Sequence, residues 1–312
     1  MKSRRAKAKL TEQRNPRSRG LDLLSTEEIL RVVNREDARV AAAVSREIPR
    51  IARAVDAIVR AIARGGRLIY AGAGTSGRLA TLDAAECPPT FGIPARTVQA
   101  VIAGGRRALT HAAEGAEDSA LQGARDLAAR RVGARDVVVG LAASGSTPYV
   151  LGALAYARRK GAFTVGVTAN PRSALARAAH VAIAPQVGPE VIAGSTRMKA
   201  GTTQKLVLNM LSTAAMVRLG HIYDNWMINV AQTNRKLRQR GLQLLVEASG
   251  ASVSEARRAL RHAGHDLRVA LVILKGHASA AEARRRLRGA EGNLRGALGE
   301  WPGRRTRRAR RG

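Results

Sequence analysis

The chain has little cysteine, little aromatic character and little acid. One cysteine, Cys87, stands among 312 residues, which excludes an intramolecular disulfide and argues against an oxidising compartment. Only 3% of residues are aromatic, and no basic stretch is interleaved with Phe or Tyr, so the stacking platforms that hold single-stranded nucleic acid are missing. Asp and Glu number 23 against 54 Lys and Arg, a net charge of +31. Residues 1–20 carry eight basic residues against Glu12, and six arginines fall within 303–312, so the two ends supply thirteen of those charges. Residues 1–20 and 301–312 are expected to be disordered basic tails, limited to non-specific contact with nucleic acid. A basic body also favours a doubly anionic small substrate.

Long apolar runs are missing too. The longest uncharged run, Val137 to Ala157, is broken at its centre by Ser144, Gly145, Ser146, Thr147 and Pro148, where lipid would leave polar groups unpaired, so no membrane span is expected. No basic-then-apolar leader opens the chain, and the expected location is cytoplasmic. The six histidines show no ligand cluster beyond His262 and His265 at helical spacing, so no metal is expected.

What is present suits a large core, with 45% hydrophobic residues. Ser25 with the acids of "STEEIL" marks a helix start, and Ile48, Ile51, Val55 and Ile58 recur at helical spacing. "RLIYAGAG", "TVQAVIAGG", "RDVVVGLAASGS", "FTVGVTAN" and "HVAIAPQ" read as strands, several feeding Gly/Ser loops and then helices. Pro88 is expected to stop the helix that begins at Thr75. Strands alternating with helices predict an α/β fold with a parallel sheet covered on both faces. The expected organisation is one α/β domain over 21–242, including an N-terminal helical hairpin, and a small all-helical annex over 243–300.

Gly72, Gly74 and Gly77 satisfy G-x-G-x-x-G in the right context, but the strand that follows carries no acid for a ribose, and Arg78 and Leu79 stand where a P-loop needs Lys and Ser/Thr. What remains is a helix N-terminus whose amides, with Thr75 and Ser76, suit an anion or polar sugar. Ser144, Ser146 and Thr147 repeat that design at the end of another strand. Among the acids, Glu86 at its helix end would be favoured in the protonated form and could serve as a general acid; Glu114 and Glu117 lie in the next connection. A regular helix from Thr75 to Glu86 separates its ends by about 17 Å, too far for one sugar phosphate, which points to a site shared between subunits or to phosphate held by the Ser144 loop.

"GAGTSGRLATLDAAECPPTFG", "IAGG", "EGAED", "AASGSTPYVLGAL" and "GPEVIAGSTRMKAGTTQKLVLNMLSTAAMVRLG" together resemble the N-acetylmuramic acid 6-phosphate etherase family of the sugar isomerase (SIS) superfamily. The resemblance runs from about residue 11 to about 300. It implies cleavage of the lactyl ether of N-acetylmuramic acid 6-phosphate to N-acetylglucosamine 6-phosphate and D-lactate, no cofactor, and a homodimer with its site at or near the interface. It implies Glu86 and Glu117 as catalytic acids and substrate contacts at Gly74, Thr75, Ser76, Ser144, Ser146, Thr147, Glu190 and Ser195. Ser146 stands where the family usually has arginine. The alternative is a non-catalytic sugar-phosphate sensor, similar to the glucokinase regulatory protein.

Overall fold

The computed structural model describes residues 10–229 and 235–300; residues 1–9 and 301–312 of the expected tails lie outside the described residues. The chain divides into two compact units, one comprising residues up to Glu86 with Pro94–Ala215, the other Cys87–Ile93 with residues from Met216 onward. The border expected at 242/243 is thus displaced. Tyr223 and Ile228 belong to the core of the helical unit, and Gly92, at φ +63°, abuts Asn229 so closely that a Cβ on it would stand 2.4 Å from the Asn229 carbonyl oxygen.

In the first unit, residues 10–20 are not the expected disordered tail. Short 3-10 turns form at Leu10–Glu12 and Pro16–Ser18, and the buried Asn15 donates its carboxamide to Glu36 at 2.8 Å. A buried carboxylate needs such donors, which gives this basic segment a reason to order. Helix α1, Thr26–Ser45, starts at the capping box of Ser25 and Glu28. Helix α2, Ile48–Ala63, buries Ile51, Val55 and Ile58, whereas Ile48 at its first position faces solvent.

Five parallel strands follow: β1 (Leu68–Gly72), β2 (Val98–Ile102), β3 (Val137–Leu141), β4 (Phe163–Val167) and β5 (Val181–Ile183), in the order β2-β1-β3-β4-β5. Every residue of β1 and β3 is buried, as apolar central strands covered on both faces should be. Helices α4 (Ala120–Ala129), α5 (Pro148–Arg159) and α6 (Ala174–Ala178) cover one face around Leu127, Tyr149, Leu154 and Leu175. Helix α2 packs on β1, β3 and β5 from the other. Because β1 is flanked by β2 and β3, the chain reverses its winding between β1 and β3, and their carboxyl ends form the crevice where such sheets take ligands.

Helix α3, Gly74–Phe91, does not stop at Pro88; it runs through Pro88 and Pro89. The two prolines leave the carbonyls of Ala84 and Ala85 without helical donors, a cost offset by burial of Cys87 and Phe91. Helix α7, Lys199–Arg218, buries one side (Thr203, Val207, Leu208, Leu211, Ala215) and exposes Thr202, Lys205, Asn209 and Thr213.

The second unit is all-helical in α8 (Arg235–Ser249), α9 (Val253–His262), α10 (Leu267–Gly276), α11 (Ala280–Gly289) and α12 (Leu294–Ala297), around Leu244, Leu245, Leu260, Leu271 and Leu287. Ser252, Asp266, Ser279 and Asn293 cap the last four, which explains the crisp helix starts. Among the described residues no helix is long and apolar enough to cross a membrane.

Candidate active site

The register of the central strands places Gly72 beside Leu141, so the loops leaving β1 and β3 start side by side. In the first loop the three glycines do different work. A Cβ on Gly72 would meet the Gly77 amide nitrogen at 2.7 Å, and one on Gly77 would meet Ile102 Cγ1 at 2.4 Å; these two let the helix close onto the strands. Gly74, at φ +52°, is the exposed one: a Cβ on it would meet nothing within 4 Å, so backbone at the start of α3 is open to a ligand. Thr75 is half-buried and Ser76 buried.

The second loop is preformed. Gly145 takes φ +68°, and its amide bonds the Ala142 carbonyl at 3.0 Å. Its own carbonyl accepts from the Leu175 amide, and Thr168 Oγ1 donates to the Ala143 carbonyl. Ser144 and Ser146 hydroxyls lie 3.0 Å apart, and the Ser146 amide points to Ser144 Oγ at 3.3 Å. Thr147 is the N-cap of α5 but makes no side-chain cap bond, and Pro148 follows at the first turn. Hydroxyls and the positive end of a helix thus converge on one turn, an arrangement that favours an anion.

The N-terminus of α7 is different. Glu190 is buried, and its two oxygens accept the amides of Lys199 at 3.0 Å and Ala200 at 2.8 Å. Burial pushes its carboxyl above the ordinary range, and the two amide bonds pull back only part of that. Glu190, expected as a substrate contact, here caps a helix. Ser195 lies on the half-exposed turn between them. A Cβ on Gly201, in the first turn of α7, would come 3.4 Å from Thr75 Cγ2, so α7 begins against the start of α3.

Glu86 is exposed on α3, more than a turn before its end, so it is not the helix-terminal acid expected from a stop at Pro88. Glu117 is exposed on the 3-10 turn Ala116–Asp118 that follows Gly115 at φ +71°. Neither carboxylate bonds another described residue. Since α3 is continuous from Gly74, Glu86 lies about 17 Å along the helix from Thr75, and one chain does not bring the first loop and this acid onto one sugar. Among the described residues no group of His, Cys, Asp and Glu could hold a metal; His262 and His265 are exposed.

Three features escaped sequence reasoning. Arg78, occupying the place of a P-loop lysine, donates to the carbonyls of Ala108, Leu109 and His111 at 3.0–3.1 Å and so holds the connection that leads to Glu117. Asp83, one turn before Glu86, accepts from Tyr70 at 2.8 Å and Ser212 at 3.0 Å; burial raises its pKa against those two bonds. Glu36 accepts from Asn15, Arg17 and Lys199. Burial alone would push Glu36 up, but the bonds from Arg17, Lys199 and Asn15 outweigh it and hold the carboxyl at about 2. The signal available for these was weak: Arg78 and Asp83 are single charges among small and apolar residues, and Glu36 is one charge among several in "NREDAR".

Residues 50–158 match the model of the glucokinase regulatory protein N-terminal SIS domain. Among solved structures, a phosphoheptose isomerase from Francisella tularensis is 19% identical with a TM-score of 0.48, covering 63% of this chain and 98% of that one. The N-acetylmuramic acid 6-phosphate etherase of Symbiobacterium thermophilum is 55% identical over 265 residues, 85% of this chain and 88% of the relative. That of Yersinia pestis is 53% identical over 270 residues, 86% and 92% of the two chains. With identity and coverage at that level, the chain belongs to the N-acetylmuramic acid 6-phosphate etherase family.

Proposed function

We propose that the chain cleaves the D-lactyl ether of N-acetylmuramic acid 6-phosphate, releasing D-lactate and N-acetylglucosamine 6-phosphate, with Glu86 and Glu117 as its acid and base. The observation that carries this reading is the pairing of an uncapped helix start, at Ser144–Thr147, with a second open helix start at Gly74–Ser76 on the neighbouring strand end. Amides and hydroxyls there suit a phosphate monoester, which they bind through charge-assisted hydrogen bonds.

The chemistry needs two proton-transfer groups. In the ring-opened sugar C2 lies beside the aldehyde and carries an acidic hydrogen, and the ether oxygen is on C3. Glu117 takes the C2 proton, the C3–O bond breaks as the C2–C3 double bond forms, and Glu86 gives a proton to the departing lactyl oxygen. Water then adds its oxygen to C3 and a proton returns to C2, so no redox partner is required.

The two acids act in a homodimer whose site lies at or near the subunit interface. The 17 Å separation along α3 supports this, as does Leu82, 48% exposed one turn before Glu86 on the same side of the helix. An apolar side chain bared beside a catalytic acid suits a face that a second copy covers.

The test is D-lactate release from N-acetylmuramic acid 6-phosphate by purified protein, beside binding of N-acetylglucosamine 6-phosphate. Binding and lactate together support the etherase reading. Binding without lactate from folded wild type would instead make the chain a sugar-phosphate sensor.

A further inference from the structure

The side chain of Lys199 is wholly buried, and its ammonium has three protein acceptors: Glu36 Oε2 at 2.6 Å, the Val187 carbonyl at 3.0 Å and the Pro189 carbonyl at 2.6 Å. An ammonium has three hydrogens, so its donor capacity is filled. In return Glu190 binds the backbone amides of Lys199 and Ala200. The side chain at one end of the segment therefore holds the backbone at the other, in both directions, and closes residues 187–200 into a loop with Ser195 on its outer turn. A second set of bonds covers the loop from the N-terminal segment: Asn15 Nδ2 to the Pro189 carbonyl at 3.2 Å, Ser18 Oγ to the Val191 carbonyl at 2.7 Å, and the Gly194 amide to the Thr11 carbonyl at 3.0 Å.

A buried ion pair is a poor means of stabilising a fold, since an apolar pair of similar volume often does as well. What an apolar residue does not do is grip two carbonyls. We propose that Lys199 is a positioning residue: through Glu36 and the carbonyls of Val187 and Pro189 it fixes the Ser195 turn and the first turn of α7 against Thr75, so that this loop forms a preset third wall of the substrate site. The proposal rests on the reading above that the β1/β3 edge holds a phosphosugar.

The experiment compares wild type, Lys199→Met, the double variant Lys199→Met/Glu36→Gln, and Ser18→Ala. It measures thermal midpoint, the Kd of N-acetylglucosamine 6-phosphate by calorimetry, and kcat and KM for lactate release. Lys199→Met takes one of three donors from the buried Glu36, leaving it Arg17 and Asn15, and is expected to lower the midpoint. The double variant puts a neutral amide in place of that under-satisfied carboxylate and is expected to recover part of the midpoint while its Kd and KM stay at least about tenfold above wild type, with kcat changed less. Ser18→Ala, which loses one loop bond, is expected to fold normally with a Kd raised a few-fold. A double variant or Ser18→Ala protein that folds and binds product like wild type would overturn the proposal. If wild type binds product without releasing lactate and the double variant loses that binding, the activity reading fails and the positioning role stands.

Discussion

Gly145 lies so close to Ser173 that a Cβ built on it would stand 2.2 Å from Ser173 Oγ. The residue also takes φ +68°, a conformation that costs other residues of order 1–3 kcal/mol. Position 145 therefore has to be glycine for the Ser144–Thr147 turn to keep its shape. Gly145→Ala is expected to lower unfolding free energy by about 1–3 kcal/mol, and the folded fraction is expected to bind N-acetylglucosamine 6-phosphate more than about tenfold less tightly. Denaturant titration and calorimetry read the two effects separately.

The acids are expected to separate chemistry from binding. Glu86→Gln and Glu117→Gln each keep size and polarity at an exposed position, so folding is expected to change little. General acid–base catalysis contributes on the order of 10² to 10⁴ in rate, and a loss of that size in kcat with product Kd within about twofold of wild type is the expected result. Equal loss of kcat and product binding would assign these residues to substrate contact instead.

Arg78 is expected to act on the chemistry from a distance. Its guanidinium ties Ala108, Leu109 and His111 together, nine residues or fewer from Glu117 along the chain. Arg78→Met is expected to lower kcat and leave the Kd of N-acetylglucosamine 6-phosphate nearly unchanged, because Glu117 loses its placement while the phosphate loops keep theirs. A raised Kd with kcat intact would mean that Arg78 belongs to the phosphate site.

Acid stability carries the mark of Glu36. Its folded-state pKa, about 2, lies below the ordinary value of 4.5, so its contribution to stability is present above about 4.5 and is lost as pH falls toward 2. Asp83 and Glu190 are shifted the other way by burial, so their contribution has the opposite sign. Glu36→Gln is expected to flatten the decline in unfolding free energy over pH 4.5 to 2, measured by denaturant titration at each pH. A slope unchanged by the substitution would contradict the charge assignment.

The strands were legible because apolar runs ending in Gly/Ser loops have few other readings; "RDVVVGLAASGS" becomes β3 and the Ser144 turn directly. Two local rules misled. Pro88 was expected to end α3, but burial of Cys87 and Phe91 outweighs the bonds lost there. Residues 10–20 were expected to be disordered from their charge, but Asn15 and Arg17 meet Glu36, 21 and 19 residues away. That pairing, like the grip of Lys199 on Val187 and Pro189, depends on tertiary neighbours that no local pattern encodes. Glu86 and Glu117 stood out as a pair only through the resemblance to the family, since a solvent-facing glutamate is ordinary by composition.

The most direct test is lactate release in ¹⁸O-labelled water, with Glu86→Gln alongside wild type. Elimination across C2–C3 followed by hydration predicts unlabelled D-lactate, one ¹⁸O in N-acetylglucosamine 6-phosphate, and little of either product from the variant. Label in the lactate would place bond cleavage on the lactyl side, and no lactate from folded wild type that still binds the sugar phosphate would contradict the enzymatic reading altogether.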